Sequence, residues 1–157
     1  MIQPLLKRLL VAVNGTEHSV QAAMYAIMLA KQQHCAIKAV YVVDTATIRA
    51  LTLTKVFVRE EGSEYTENIE VNGRRHLDHV AELGKSKGVT VETELRRGAV
   101  FSEIIMAADD YRADLIIAGG RDARTAFSRG TDDLIDNVRC NVLFVHDPHV
   151  EKLFKLL

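Results

Sequence analysis

The chain has 157 residues, 26% of them charged and 48% hydrophobic, which is enough for one full-sized core and too few for two comfortable domains. Twenty Lys and Arg against 21 Asp and Glu leave a formal charge of −1, so there is no broad positive field for a nucleic-acid backbone or an anionic membrane. The apolar stretches, such as Leu9–Val13 and Leu115–Ala118, are far shorter than the roughly 20 residues that span a bilayer, and no signal-peptide core opens the chain, so the expected setting is the cytoplasm, with no nucleic-acid partner and no membrane insertion.

Arg8–Val13 reads as a first strand, closed by Asn14-Gly15, a pair that favours a turn. Thr16 or Ser19 then caps a helix whose Val20, Ala23, Met24, Ile27 and Ala30 recur at intervals of three and four, ending near His34. Ala36–Val43 is a β-branched run that stops at Asp44-Thr45. Strand, helix and strand in this order predict a right-handed crossover joining a parallel pair. From Ala46 to Ser63 the apolar residues fit neither period, which predicts a mobile or partner-facing insert.

Ile69, Leu77, Val80 and Leu83 predict an amphipathic helix over Glu64–Lys85, in which Gly73 costs roughly 1 kcal/mol relative to Ala. Gly84 and Gly88 mark its end. Val89–Leu95 alternates apolar with polar residues, the pattern of a strand near a sheet edge, and Gly98 opens a turn. Ser102 is the expected cap of a helix carrying Ile104, Ile105 and Ala108, and Asp114–Ala118 suits a central strand covered on both faces. After Gly119-Gly120 come a helix from about Thr131 to Val138 and a last strand, Asn141–Val145. Val150, Leu153, Phe154 and Leu157 lie on one helical face of the tail, predicting a short docking helix. The division is thus one domain over residues 1–147, with an insert at about 46–63, and a tail over 148–157.

Connections too long for hairpins make this a doubly wound, Rossmann-like α/β fold: five strands, mainly parallel, with helices on both faces. In such sheets ligands bind beyond the carboxyl ends of the strands, where the strand order reverses. The loops at Asn14-Gly15, Asp44-Thr45 and 119–130 are therefore nominated.

Four segments in order resemble the universal stress protein family, from Lys7 to about His146: LLVAVNGTEHS, KAVYVVD, RRGAVFSEIIMAADDYRADLIIAGG and CNVLFV. The resemblance implies a homodimer paired through the last strand, Asn141–Val145, active in stress response through binding of an unidentified protein partner or a small molecule and not through turnover. An apolar edge strand left bare is an aggregation hazard, an independent reason to expect a partner there. One branch of the family binds ATP through G-x-x-G, nine residues, then G-[ST]. Here Asp122 stands at the second glycine and seven residues separate it from Gly130, which resembles the branch with a degenerate loop, that of the enterobacterial A-type protein.

The alternative is a switch that binds ATP or another adenine nucleotide, with slow hydrolysis or autophosphorylation. Gly119, Gly120, Gly130 and Thr131 would then hold phosphates through backbone N–H groups and a helix N-terminus, while the resemblance implies that Asn14, where the ATP-binding branch usually has Asp, meets the ribose and that Val42, equally a plain strand residue, lines the base pocket. Against a triphosphate, Arg121, Arg124 and Arg129 are balanced by Asp122, Asp132 and Asp133. Turn formation alone also accounts for the glycines.

No serine elbow, HExxH or paired catalytic carboxylates occur, so no catalytic residue is nominated. His76 and His79, three apart on a helix, and the HDPH run 146–149 have metal-ligand residue types, but a solvated face and a turn describe them better, and no metal is expected. Cys35 and Cys140 have no CxxC spacing and are read as reduced, mostly buried thiols. Arg74-Arg75 and Arg96-Arg97 are read as solvated pairs. A small α/β enzyme or flavoprotein-like domain remains a third, weaker reading, since fold alone does not fix function.

Overall fold

The structure, a computed structural model, describes residues 2–53, 59–120 and 136–157. Its strands are β1 (Arg8–Val13), β2 (Ala36–Asp44), β3 (Val91–Gly98), β4 (Leu115–Gly119) and β5 (Asn141–Val145). They form one sheet in the order β3-β2-β1-β4-β5, and every neighbouring pair is parallel. The chain steps outward from β1 to β2 and β3, then crosses back to β4 and β5. The order therefore reverses between β1 and β4, and the carboxyl ends of those two strands, Val13 and Gly119, flank the switch point.

Helices α1 (Glu17–Gln33), α2 (Thr45–Leu53), α3 (Arg59–Ser86), α4 (Val100–Tyr111) and α5 (Val150–Leu156) complete the described residues. One apolar layer joins Ala22, Ala23, Ala26 and Ile27 of α1, Leu77 and Val80 of α3, and Val150 and Phe154 of α5 to Leu9, Val11, Ile37 and Ile117 of the sheet. The opposite layer joins Ile104, Ala107 and Ala108 of α4 to Leu10, Ala12, Val40 and Ile116. Coverage on both faces explains why β4 is buried throughout and reads as an unbroken apolar run. Asp114 ties the lower ends together, accepting hydrogen bonds from the Lys7 and Arg8 N–H groups at 2.7 and 2.9 Å.

Thr16 is the N-cap of α1, its hydroxyl accepting the Ser19 N–H at 3.2 Å. His34, in the left-handed conformation, ends that helix. The insert is more regular than the sequence suggests: Thr45–Leu53 is helical and Ile48 is buried. Asp44 explains this, because its two carboxylate oxygens accept the Thr47 N–H at 3.0 Å and the Thr47 hydroxyl at 2.7 Å, capping α2 as β2 ends. Helix α3 likewise begins at Arg59, ahead of the expected Glu64. Its 28 residues span about 42 Å, more than the strands beneath it, so its first turns rise beyond their carboxyl ends.

Four further expectations need correction. Ser102 does not cap α4; Ala99 holds that position without a side-chain bond, and Ser102 lies within the first turn. In the tail helix only Val150 and Phe154 are buried, while Leu153 and Leu157 face outward, because a helix of seven residues presents too narrow a stripe to bury all four. Both cysteines are half-buried; the Cys35 Sγ donates to the Leu6 carbonyl at 3.2 Å, and burial raises both thiols above their ordinary value, with Asp114 adding to each. Arg96 is not solvated, as described below. The helix expected at about 131–138 lies mostly outside the described residues.

Candidate functional site

Asn14 leaves β1 at the switch point, and its side chain shapes the turn it begins. The carboxamide Oδ1 accepts the Thr16 N–H at 3.1 Å and the Thr16 hydroxyl at 2.7 Å, while the Asn14 N–H donates to Ser19 Oγ at 3.3 Å. Ser19, itself buried, also donates to the Thr16 carbonyl at 2.9 Å. Gly15, between them, has φ +84°, a conformation that L side chains rarely adopt. The Asn-Gly-Thr sequence thus makes a closed, locally bonded turn that feeds directly into α1.

On the α4 face, Asn14 joins Ala12, Val13, Val40, Val42, Val100 and Ile104 around a small cleft of about 60 Å³. Two sequence-predicted contacts from different strands, Asn14 and Val42, therefore share one concavity at the carboxyl edge of the sheet. Its lining is apolar apart from Asn14, the usual balance of a small-molecule site. That volume is well below the roughly 300–1,000 Å³ of ordinary small-molecule pockets. A concavity of this size has room for only one part of a small-molecule ligand.

Gly119 ends β4 in register with Val145 of β5. Gly120 follows, with the His146 imidazole occupying the place of its missing Cβ, the ring's Cε1 lying nearest to that position. Any side chain at 120 would displace the ring, so this glycine serves close packing. Sequence reasoning missed His146 as a neighbour of the loop, although the parallel register of the two strand ends is the signal that brings them together. Gly130 and Thr131, with Arg121, Asp122, Arg124, Arg129, Asp132 and Asp133, lie outside the described residues.

A second concavity of about 160 Å³ opens on the α1 side, lined by Glu17, His18, Gln21, Val145, His146 and Pro148. His149 donates its N–H to Asp147 Oδ1 at 2.8 Å, so the HDPH run is a turn leaving β5 for α5. His76 and His79 do not converge: His79 is exposed, and His76 lies against Gly15 with its ring 6.1 Å from that of Tyr41. Among the described residues no three His, Cys, Asp or Glu side chains gather as a metal site would require.

The outer edge at β3 carries charge instead. Arg96 is 17% exposed and bonds Glu103 at 2.8 Å, Glu94 at 3.1 Å and Asp110 at 3.4 Å, with Lys38 adding a contact to Glu94 at 3.3 Å. Burial disfavours the Arg96 charge, but the Glu103 hydrogen bond and the Glu94 and Glu103 charges outweigh it and hold the guanidinium above its ordinary value. Arg97, one residue on, pairs with Glu70 of α3. At the other edge, β5 presents Val142, Leu143 and Phe144, all half-buried.

Residues 6–146 match the profile of the universal stress protein family. A universal stress protein of Methanocaldococcus jannaschii is 30% identical over 153 residues, covering 94% of this chain and 86% of the relative. The universal stress protein UspA of Lactobacillus plantarum superposes with a TM-score of 0.73 at 21% identity, over 90% of this chain and 98% of that one. The universal stress protein of Archaeoglobus fulgidus in complex with dAMP does so with a TM-score of 0.64 at 15% identity, over 90% and 99%. Among the described residues, no helix is long and apolar enough to cross a membrane.

Proposed function

The chain belongs to the universal stress protein family, and from that premise we propose that it is a stress-response regulatory protein that acts by binding and not by turnover, with an adenine mononucleotide as its small-molecule input. The observation that carries this reading is the convergence of Asn14 and Val42 on one cleft beside the switch point. An adenine edge against Val42 and a ribose against Asn14 would leave the phosphate directed toward Gly119 and Gly120. The dAMP complex of the Archaeoglobus fulgidus relative supports the ligand class. A monophosphate suits the charge pattern better than ATP, because the three Arg of the 121–133 segment are offset by three Asp and the spacing from Asp122 to Gly130 is short for a triphosphate loop.

The same reading gives the protein a second copy as partner. Edge strand β3 is protected by charges held in ion pairs, whereas β5 has an apolar centre, Val142-Leu143-Phe144. Sheet edges are blunted by charge or by pairing, and β5 lacks the charge. Two-fold pairing of β5 with its copy is the inferred assembly, and the dimer would present an additional protein partner with two equivalent faces.

A thermal melt of nucleotide-free protein tests the ligand assignment. At one hundred times the dissociation constant AMP adds about 2.7 kcal/mol, a rise of several degrees for a domain of this size. The rise should be absent with inorganic phosphate alone and lost in Val42→Gln. No rise with millimolar AMP in a correctly folded sample would remove the nucleotide from the account.

A further inference from the structure

Gly15 is in contact with a residue far away in the sequence. If it had a Cβ, that atom would stand 2.7 Å from Nε2 and 3.0 Å from Cδ2 of His76, on α3. His76 is itself held: its ring lies nearly parallel to that of Tyr41, at 14°, and Tyr41 pairs in register with Val13 at the end of β1. One turn earlier on α3, Gly73 lets the helix approach Tyr41 so closely that a Cβ there would be 2.6 Å from its ring. A continuous series of close contacts therefore runs from α3 through Tyr41 and His76 to the Asn14-Gly15 turn.

The contact reaches the cleft from the opposite side of the sheet. Asn14, Val40 and Val42 line the cleft on the α4 face, whereas Tyr41 packs into the layer shared with α1 and α3. The Asn14-Gly15 turn is where the two sides meet. The local bonds to Thr16 and Ser19 fix the turn from within, and the imidazole fixes it from behind.

We infer that His76 is a positioning residue that couples the Asn14-Gly15 turn to α3, so that a ligand seated against Asn14 changes the packing of α3 on the sheet. This rests on the nucleotide reading above and extends it by naming the element that carries the signal. A ligand that draws Asn14 toward itself moves Gly15 relative to the ring, and a close-packed contact responds in discrete steps instead of deforming smoothly. The first turns of α3 stand above the strand ends, where such a change would be presented to a partner.

The test is a histidine-ring NMR titration of the full chain with AMP, run beside calorimetry on the same sample. The His76 Cε1–H signal, assigned by its loss in His76→Ala, should move and saturate in step with the heat, while that of His79, exposed on the same helix, stays in place. His76→Ala should bind AMP about fivefold or more weakly, and His76→Phe, which keeps a ring against Gly15, should recover most of that loss; circular dichroism checks that both fold. Heat without movement of the His76 signal, or unchanged affinity in a folded His76→Ala, overturns the coupling and leaves the nucleotide site intact. No heat at millimolar AMP overturns the site and the coupling with it.

Discussion

Gly73 and Tyr41 touch so closely that a single added methyl group would lie 2.6 Å from Cδ1 and 2.8 Å from Cε1 of the ring. Within a helix glycine costs about 1 kcal/mol relative to alanine, so on propensity alone Gly73→Ala should stabilise α3. The structure reverses the sign. Both contacts are to ring atoms of a side chain already packed between α3 and β2, and overpacking of this kind costs typically 1–3 kcal/mol. Urea unfolding should therefore show Gly73→Ala destabilised by about 1 kcal/mol net. In a Tyr41→Leu background the same change should be neutral or stabilising, and equal effects in both backgrounds would contradict the contact.

Most of the sheet was legible from the sequence. The buried strand at 115–118 announces itself because a parallel strand covered on both faces must be apolar at nearly every position, and Asn141–Val145 is legible as a short apolar run although it lies half-buried at the edge. The insert was not legible, because its order depends on Asp44 capping Thr47 and on one buried residue, Ile48, and not on a long periodic stripe. Gly73 looked like a defect for the same reason: its partner, Tyr41, lies on another element. Of the candidate site, Asn14 could be named in advance because it closes β1 at a turn that the doubly wound topology nominates, whereas Val42 could be named only through the family resemblance, since by itself it reads as a plain strand residue. His76 and His146 could not, because each acts by filling the space of a missing Cβ on a distant glycine, and no local spacing encodes that.

The charged edge of β3 should prove stabilising as a network. Removing the Arg96 guanidinium leaves Glu94 and Glu103 close together and partly buried without their shared partner. Arg96→Met should cost about 1–3 kcal/mol in urea unfolding, the upper part of that range being reserved for buried pairs and the lower for exposed ones. Restoring neutrality with Glu103→Gln in the same chain should recover part of it. A variant as stable as the wild type would show that solvent already screens these charges.

Glu70 gives a pH-dependent signature. The hydrogen bond from Arg97 is the main cause that holds its carboxyl below the ordinary 4.5; partial desolvation opposes it, and the charges of Arg97 and Arg74 add to it. A group whose folded value is depressed stabilises the fold above its unfolded value and loses that contribution as pH falls through the folded one. The link between α3 and β3 should therefore persist at neutral pH and weaken only in acid, below 4.5. Carboxyl NMR should place the Glu70 midpoint below that of an exposed Glu, and Arg97→Gln should raise it. An unchanged midpoint in that variant would refute the assignment.

At β5, a charge in the middle of the apolar edge separates a paired strand from a bare one. Leu143 is half-buried against the α1 layer, with Val142 and Phe144 on the opposite face of the sheet, so lysine there should be tolerated by the isolated fold far better than by a two-fold strand pair. Sedimentation should show a wild-type dimer and a monomeric or aggregating Leu143→Lys. A dimer of unchanged strength in the variant would place the assembly elsewhere.

The tail helix divides its residues sharply. Phe154 is 5% exposed and Leu153 is 49% exposed, and Lys87 lies over the Phe154 ring at 4.8 Å. Phe154→Ala should cost about 3–5 kcal/mol if α5 unfolds with the domain, whereas Leu153→Ala should stay within about 0.5 kcal/mol. A loss of less than 1 kcal/mol for Phe154→Ala would mean that the helix detaches independently.

The cleft beside Asn14 and Val42 should take an adenine mononucleotide. Calorimetric titration of dialysed, nucleotide-free protein with AMP addresses this directly, using Val42→Gln of verified fold as the reference. The expected result is a saturable heat of one site per chain in the wild type that disappears in the variant. No heat at millimolar AMP, or the same heat in both proteins, would contradict the account.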